Sequence, residues 1–104
     1  MTFNTEPTVY KKTVLSDLKG AWECLRATAI ERAGFGGWDR IVFHIDEAMS
    51  WETVRHLERM APLVVLIRNL AVQGNAPEDV VEQIADVDDI LKDAYQALAH
   101  DSSL

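Results

Sequence analysis

Between residues 80 and 98 the chain repeats apolar side chains at steps of four, three, four, three and four: Val80, Ile84, Val87, Leu91, Ala94 and Leu98. A helix turning ~100° per residue gathers these on one side. Nearly three heptads of such a stripe specify an amphipathic helix that other helices must cover. On the opposite side, Glu78, Glu82, Asp86, Asp89 and Asp93 fall within an arc of roughly 80°. The same segment sets the electrostatics. Residues 1–74 carry nine Lys/Arg and nine Asp/Glu, whereas residues 75–104 carry eight acids against Lys92 alone, so the whole formal charge of −7 lies there.

A chain of 104 residues reads as one domain. Its content, 48% hydrophobic and 26% charged, is that of an ordinary globular protein and argues against disorder. The longest apolar run, Ala61-Pro62-Leu63-Val64-Val65-Leu66-Ile67, stops at Arg68, far short of the ~20 residues of a membrane span. The first ten residues are polar and lack the apolar centre of a signal peptide. The single Cys24 has no partner for an internal disulfide. These features lead to the expectation of a cytoplasmic protein, neither membrane-bound nor exported. The acidic balance opposes direct binding to a phosphate backbone and suits a basic protein surface.

Residues 1–12 read as an N-terminal arm. Glu6 before Pro7 disfavours helix, and Val9-Tyr10-Lys11-Lys12 suits an extended stretch. Residues 13–104 then form a single helical domain. A first helix is expected over about 16–33, with Thr13 or Ser16 as N-cap, Leu18, Ala21/Trp22, Leu25 and Ala29 at helical spacing, and Gly34 as the stop. The segment from Trp38 to Met49 fits two periods. Ile41, Phe43 and Ile45 alternate as a strand would, whereas Trp38, Ile41/Val42, Ile45 and Ala48/Met49 recur as a helix would. A short helix is the better reading, because one lone strand has no partner. Ser50 then caps a further helix running to Gly74, which Pro62 should kink or split. After Pro62 this helix is apolar nearly all round, the mark of the most buried element. Asn75-Ala76-Pro77-Glu78-Asp79 signals the last helix, with Asn75 as cap candidate. The expected fold is all-α: a small bundle of about four helices, one broken at Pro62, the last two an antiparallel hairpin.

Few constellations carry chemistry. Glu52 and His56 stand four apart, and His44 three before Glu47; neither matches a di-iron spacing, and no Cys/His grouping has zinc spacing. His100 sits in the last turn of the last helix. Cys24 lies inside the first helix, away from a thiol-activating helix start, and reads as a small, partly buried residue. Gly34-Phe35-Gly36-Gly37 lacks the spacing of a dinucleotide loop. No catalytic residue is assigned, and a non-enzymatic role is the leading expectation. Of the aromatics clustered in the first half, most should be core; Trp38 and Trp51 flank the ambiguous segment and are candidate binding anchors.

The run Glu82-Gln83-Ile84-Ala85-Asp86-Val87 resembles part of the MazG-like all-α nucleotide pyrophosphohydrolases, in which a helix bearing Glu-Glu-Ile-Ala-Asp-Val supplies part of a Mg²⁺ site. The likeness covers about ten residues. It implies Mg²⁺ as cofactor, with Glu82, Asp86 and Asp89 as metal ligands. Two departures accompany it: Gln83 stands where the family has its second Glu, and residues 59–68, where a paired-Glu motif would fall, contain no acid.

The acidic ribbon therefore admits three readings. It is a plain solvated face, a metal site, or a surface (Glu78, Glu82, Asp86, Asp89 and Asp93) that meets a basic partner. Arg55, Arg59 and Arg68 on the preceding helix are internal candidates to neutralise it. The leading functional expectation is a small acidic interaction protein that inhibits or regulates a basic target, including one with a nucleic-acid-binding site. The alternatives are a divergent or inactive relative of the pyrophosphohydrolases and a self-assembling helical scaffold. The apolar stripe of the last helix either packs within the domain or forms a homodimer seam.

Overall fold

The computed structural model describes the backbone of residues 5–53 and 57–102 and the side chains of residues 14–51 and 57–97. Four α-helices follow one another: α1 (Thr5–Glu31), α2 (Trp38–Thr53), α3 (Leu57–Gln73) and α4 (Glu78–Ser102). Among the described residues there is no strand. Each helix runs beside two others, α1 by α2 and α4, α3 by α2 and α4, and among the described residues the diagonal pairs are not neighbours. The result is an up-down four-helix bundle, 53 Å long and about 20 Å across.

The core is built from one stripe per helix: Leu18, Trp22, Leu25 and Ala29 of α1, Ile41, Ile45 and Ala48 of α2, Leu57, Met60, Val64, Ile67 and Ala71 of α3, and Val80, Ile84, Val87, Leu91 and Ala94 of α4. Each is at most 2% exposed. A buried Leu, Ile or Val stabilises by about 1.5–3 kcal/mol, so these stripes dominate the energetics. The α4 stripe is thus enclosed within one copy of the domain over residues 80–94; Leu98 lies outside the described side chains. The segment with two periods is helical, and Phe43, which a strand would have placed beside Ile41 and Ile45, is 66% exposed.

Several boundaries differ from those expected. The arm over residues 1–12 is helix from Thr5 onward, and Thr13 and Ser16 lie inside α1 instead of capping it. Pro7 is the third helical residue, in the first turn, where its missing N–H has no intrahelical acceptor to lose. Residues 1–4 lie outside the described residues. Ser50 is likewise internal: α2 continues to Thr53 and α3 begins at Leu57. No break occurs at Pro62, because α3 is continuous through it. The proline is the sixth residue of α3 and costs one backbone hydrogen bond near the helix start. Leu57, Met60 and Val64 on its buried face hold the helix regardless. Nor is α3 buried all round, since Val65, Leu66 and Val72 face solvent.

The turn between α3 and α4 is a Schellman motif. Asn75 adopts φ 52°, its N–H donates to the Val72 carbonyl at 3.3 Å, and the Ala76 N–H donates to the Ala71 carbonyl at 2.9 Å. Asn75 therefore closes α3 and does not cap α4. Gly74 is needed for a different reason. The α1–α2 and α3–α4 connections meet at one end of the bundle, and a Cβ on Gly74 would stand 1.8 Å from the Gly36 carbonyl oxygen.

Candidate functional site

All five acids of the ribbon are exposed on α4: Glu78, Glu82, Asp86, Asp89 and Asp93. Helical spacing puts them on the side away from the Val80–Ile84–Val87–Leu91 stripe. The first turn of α4 adds the partial positive charge of a helix N-terminus beside Glu78 and Asp79. Among the described residues the ribbon acids have no cation partner, because the nearby cations are engaged elsewhere. Arg32 pairs with Asp79 at 2.9 Å, and Lys92 pairs with Asp88 at 3.1 Å. Arg68 approaches the same Asp88 at 4.0 Å, and Arg59 lies over the Trp51 ring, 4.9 Å from its centroid. Of the three internal candidates to neutralise the ribbon, Arg59 and Arg68 serve other groups and Arg55 lies outside the described residues.

Beside the ribbon, α1 and α4 bound an open groove of about 530 Å³ lined by Asp17, Gly20, Cys24, Gln83, Asp86 and Asp89. Gly20 leaves its floor open, with nothing within 4 Å of where a Cβ would sit. The Gln83 side-chain oxygen is buried without a hydrogen-bond partner among the described residues. Cys24 is exposed on the groove wall and is not part of the core, because its position on α1 falls outside the Leu18–Trp22–Leu25 stripe. Asp17 carries the acidic surface from α4 across to α1. It was not recognised from sequence, since nothing there shows which face of α1 meets α4.

Trp38 and Trp51 do not join this surface. They lie near the two ends of α2, whose described backbone does not run beside that of α4. Both are half-buried, Trp51 against the core and Arg59. The exposed aromatic is Phe43, edge-on to His44 with ring centroids 5.3 Å apart. A helical reading of α2 could have found it, since it lies opposite Ile41 and Ile45. His44 also meets Glu47 at 3.2 Å, while the side chains of Glu52, His56 and His100 lie outside the described residues.

The Mg²⁺ site implied by the resemblance does not fit this arrangement. Among the described residues no three His, Cys, Asp or Glu converge as a metal site requires. Residues 59–68, which would have to bring the second pair of acids, contain none, and Arg68 approaches α4 at Asp88. Among the described residues two titrations are shifted. Arg26 is held above its ordinary value by hydrogen bonding and charge attraction to Asp46. Burial, and then the charge of Glu58 on α3, push the Tyr95 phenol upward. Among the described residues no helix is long and apolar enough to cross a membrane. Comparison with protein-family models, curated proteins and solved structures finds no match.

Proposed function

We propose that this protein is a small acidic interaction module, non-enzymatic, which inhibits or regulates a basic protein by covering its surface with the ribbon Glu78, Glu82, Asp86, Asp89 and Asp93. The observation that carries the reading is the absence of compensation. The cations next to α4 bind Asp79 and Asp88, leaving the five ribbon acids exposed and unpaired among the described residues. Like charges at i,i+4 on a helix destabilise it by about 0.2–0.5 kcal/mol per pair. A solvated face without a partner gains nothing from keeping five of them.

The spacing suggests the kind of target. Five carboxylates over residues 78–93 span about 22 Å at 1.5 Å per residue, one every 5–6 Å or so. This falls between one and two phosphate steps along a strand, at about 3.4 Å of rise per phosphate. The ribbon therefore suits a line of Lys and Arg side chains on a nucleic-acid-binding protein, and occluding that line is the proposed mechanism.

The test is affinity capture from the native host lysate with the wild-type protein and a Glu82→Lys/Asp89→Lys/Asp93→Lys variant, both shown to be helical by circular dichroism. The expected result is a basic partner held by the wild type alone, displaced by duplex DNA and released as salt rises, since the screening length falls to about 3 Å at 1 M. A partner held equally by both proteins, or one indifferent to salt, would overturn the reading.

A further inference from the structure

The groove between α1 and α4 has acids on both walls, Asp17 on one and Asp86 and Asp89 on the other, and the side chains of Ala21 and Ile90 add apolar lining. None of the three carboxylates has a cation partner among the described residues. Arg26 is committed to Asp46, Arg32 to Asp79 and Lys92 to Asp88. Lys19, two residues beyond Asp17, falls on the far side of α1 at ~100° per residue. A neutral group is unsatisfied as well. Gln83 lines the groove, and its buried side-chain oxygen has no donor among the described residues. A buried acceptor without a donor is costly, and rotation of the amide toward the groove offers that oxygen to a donor arriving there.

We propose that this groove seats an arginine side chain of the basic partner, so that the ribbon supplies attraction and the groove supplies discrimination. The inference rests on the reading of the ribbon as a surface for a basic protein. Charge complementarity calls for a cation, and the lining selects which one. Carboxylates on two walls suit a planar guanidinium, whose fork of N–H donors bonds more than one acceptor at once. An ammonium is a compact, strongly hydrated point charge that any exposed acid serves as well. The guanidinium is more weakly hydrated and enters a partly apolar trough at lower cost, while its methylene stem covers Ala21 and Ile90. Gly20 makes the room, since nothing stands within 4 Å of where its Cβ would be. The groove is open, whereas pockets for free small ligands bury about 70–90% of the ligand surface. A side chain presented on a protein surface is therefore the occupant it fits.

Calorimetric titration with two capped peptides of equal charge, hexa-arginine and hexa-lysine, at about 0.15 M salt is the test. The wild type should hold hexa-arginine about tenfold more tightly. Gly20→Leu fills the groove while leaving every charge in place, and Leu favours helix more than Gly does. In that variant, shown to be helical by circular dichroism, the two affinities should converge on the hexa-lysine value. A second measurement needs no substitution. Cys24 is exposed on the groove wall, so its alkylation by iodoacetamide should slow several-fold under saturating hexa-arginine and change little under hexa-lysine. Equal binding of the two peptides overturns the groove and leaves the ribbon reading standing. So does a preference that Gly20→Leu leaves intact, and so does a thiol as reactive with hexa-arginine as without it. If neither peptide binds, the ribbon reading itself has failed, and the groove falls with it.

Discussion

The difference between Gly74 and Gly20 shows how much a single Cβ can matter in one place and how little in another. At Gly74 the added atom would press into the Gly36 carbonyl, and both groups are backbone that cannot rotate away. Gly74→Ala should therefore separate the two connections at that end of the bundle and destabilise by about 1–3 kcal/mol, as overpacking does. At Gly20, inside α1, the added methyl meets nothing, and Gly20→Ala should stabilise by about 0.5–1 kcal/mol through the lower entropy of the unfolded chain. Urea unfolding of the two variants checks both signs; equal effects would mean that the close approach of the two turns is not maintained. Neither role was legible in the sequence, where Gly20 lowers helix propensity and Gly74 looks like a helix stop. The residue that adopts the left-handed conformation at that stop is Asn75.

Among the helices, the parts legible in advance were those governed by burial. The α4 stripe, the Leu18–Trp22–Leu25–Ala29 stripe of α1 and the helical register of α2 follow from apolar spacing, and the core uses them as spaced. The parts misread were those where a weak local signal competes with packing. Glu6-Pro7, Ser50 and Pro62 each favour a boundary by local chemistry worth about 1–3 kcal/mol, yet each lies inside a helix. The outward face of α3 was misread because apolar composition shows that a helix avoids water without showing what covers it. The docking of α3 on α4 also carries a pH dependence. Tyr95 of α4 feels the charge of Glu58 on α3, and partial burial together with that charge disfavours its phenolate in the folded state. A raised folded pKa for a group that ionises to an anion gives stability present below the unfolded value of about 10, lost as pH rises through the folded value. In a Tyr10→Phe background the remaining phenol should titrate above 10 by ultraviolet absorbance, and Tyr95→Phe should flatten the fall of stability on that side. A phenol titrating at or below 10 would remove the coupling.

At the scale of the molecule the net charge of −7 is carried by the last helix and its flanks, and salt should act on binding and on stability in opposite directions. Binding through the ribbon is attraction between unlike charges, so it weakens as salt screens it. Screening the repulsion among the ribbon acids of one chain instead strengthens the fold. The Glu82→Lys/Asp89→Lys/Asp93→Lys variant should reproduce the effect of salt on the chain without adding any. Each substitution adds two charges, taking the net charge from −7 to −1. It converts the repulsive pairs 78/82, 82/86 and 86/89 on α4 into attractive ones while 89/93 remains like-charged. At a few tenths of a kcal/mol per pair in each direction, the gain in stability is about 1–2 kcal/mol. Thermal melts at low and high salt provide the check. The wild type should melt higher as salt rises, the variant should begin higher and rise less, and its capture of the basic partner should be lost. A gain in stability accompanied by loss of binding is the signature of charge held on a surface for a partner and not for the fold. If the variant gains stability and still captures the same partner, the ribbon contributes only solvation, and recognition lies elsewhere on the bundle.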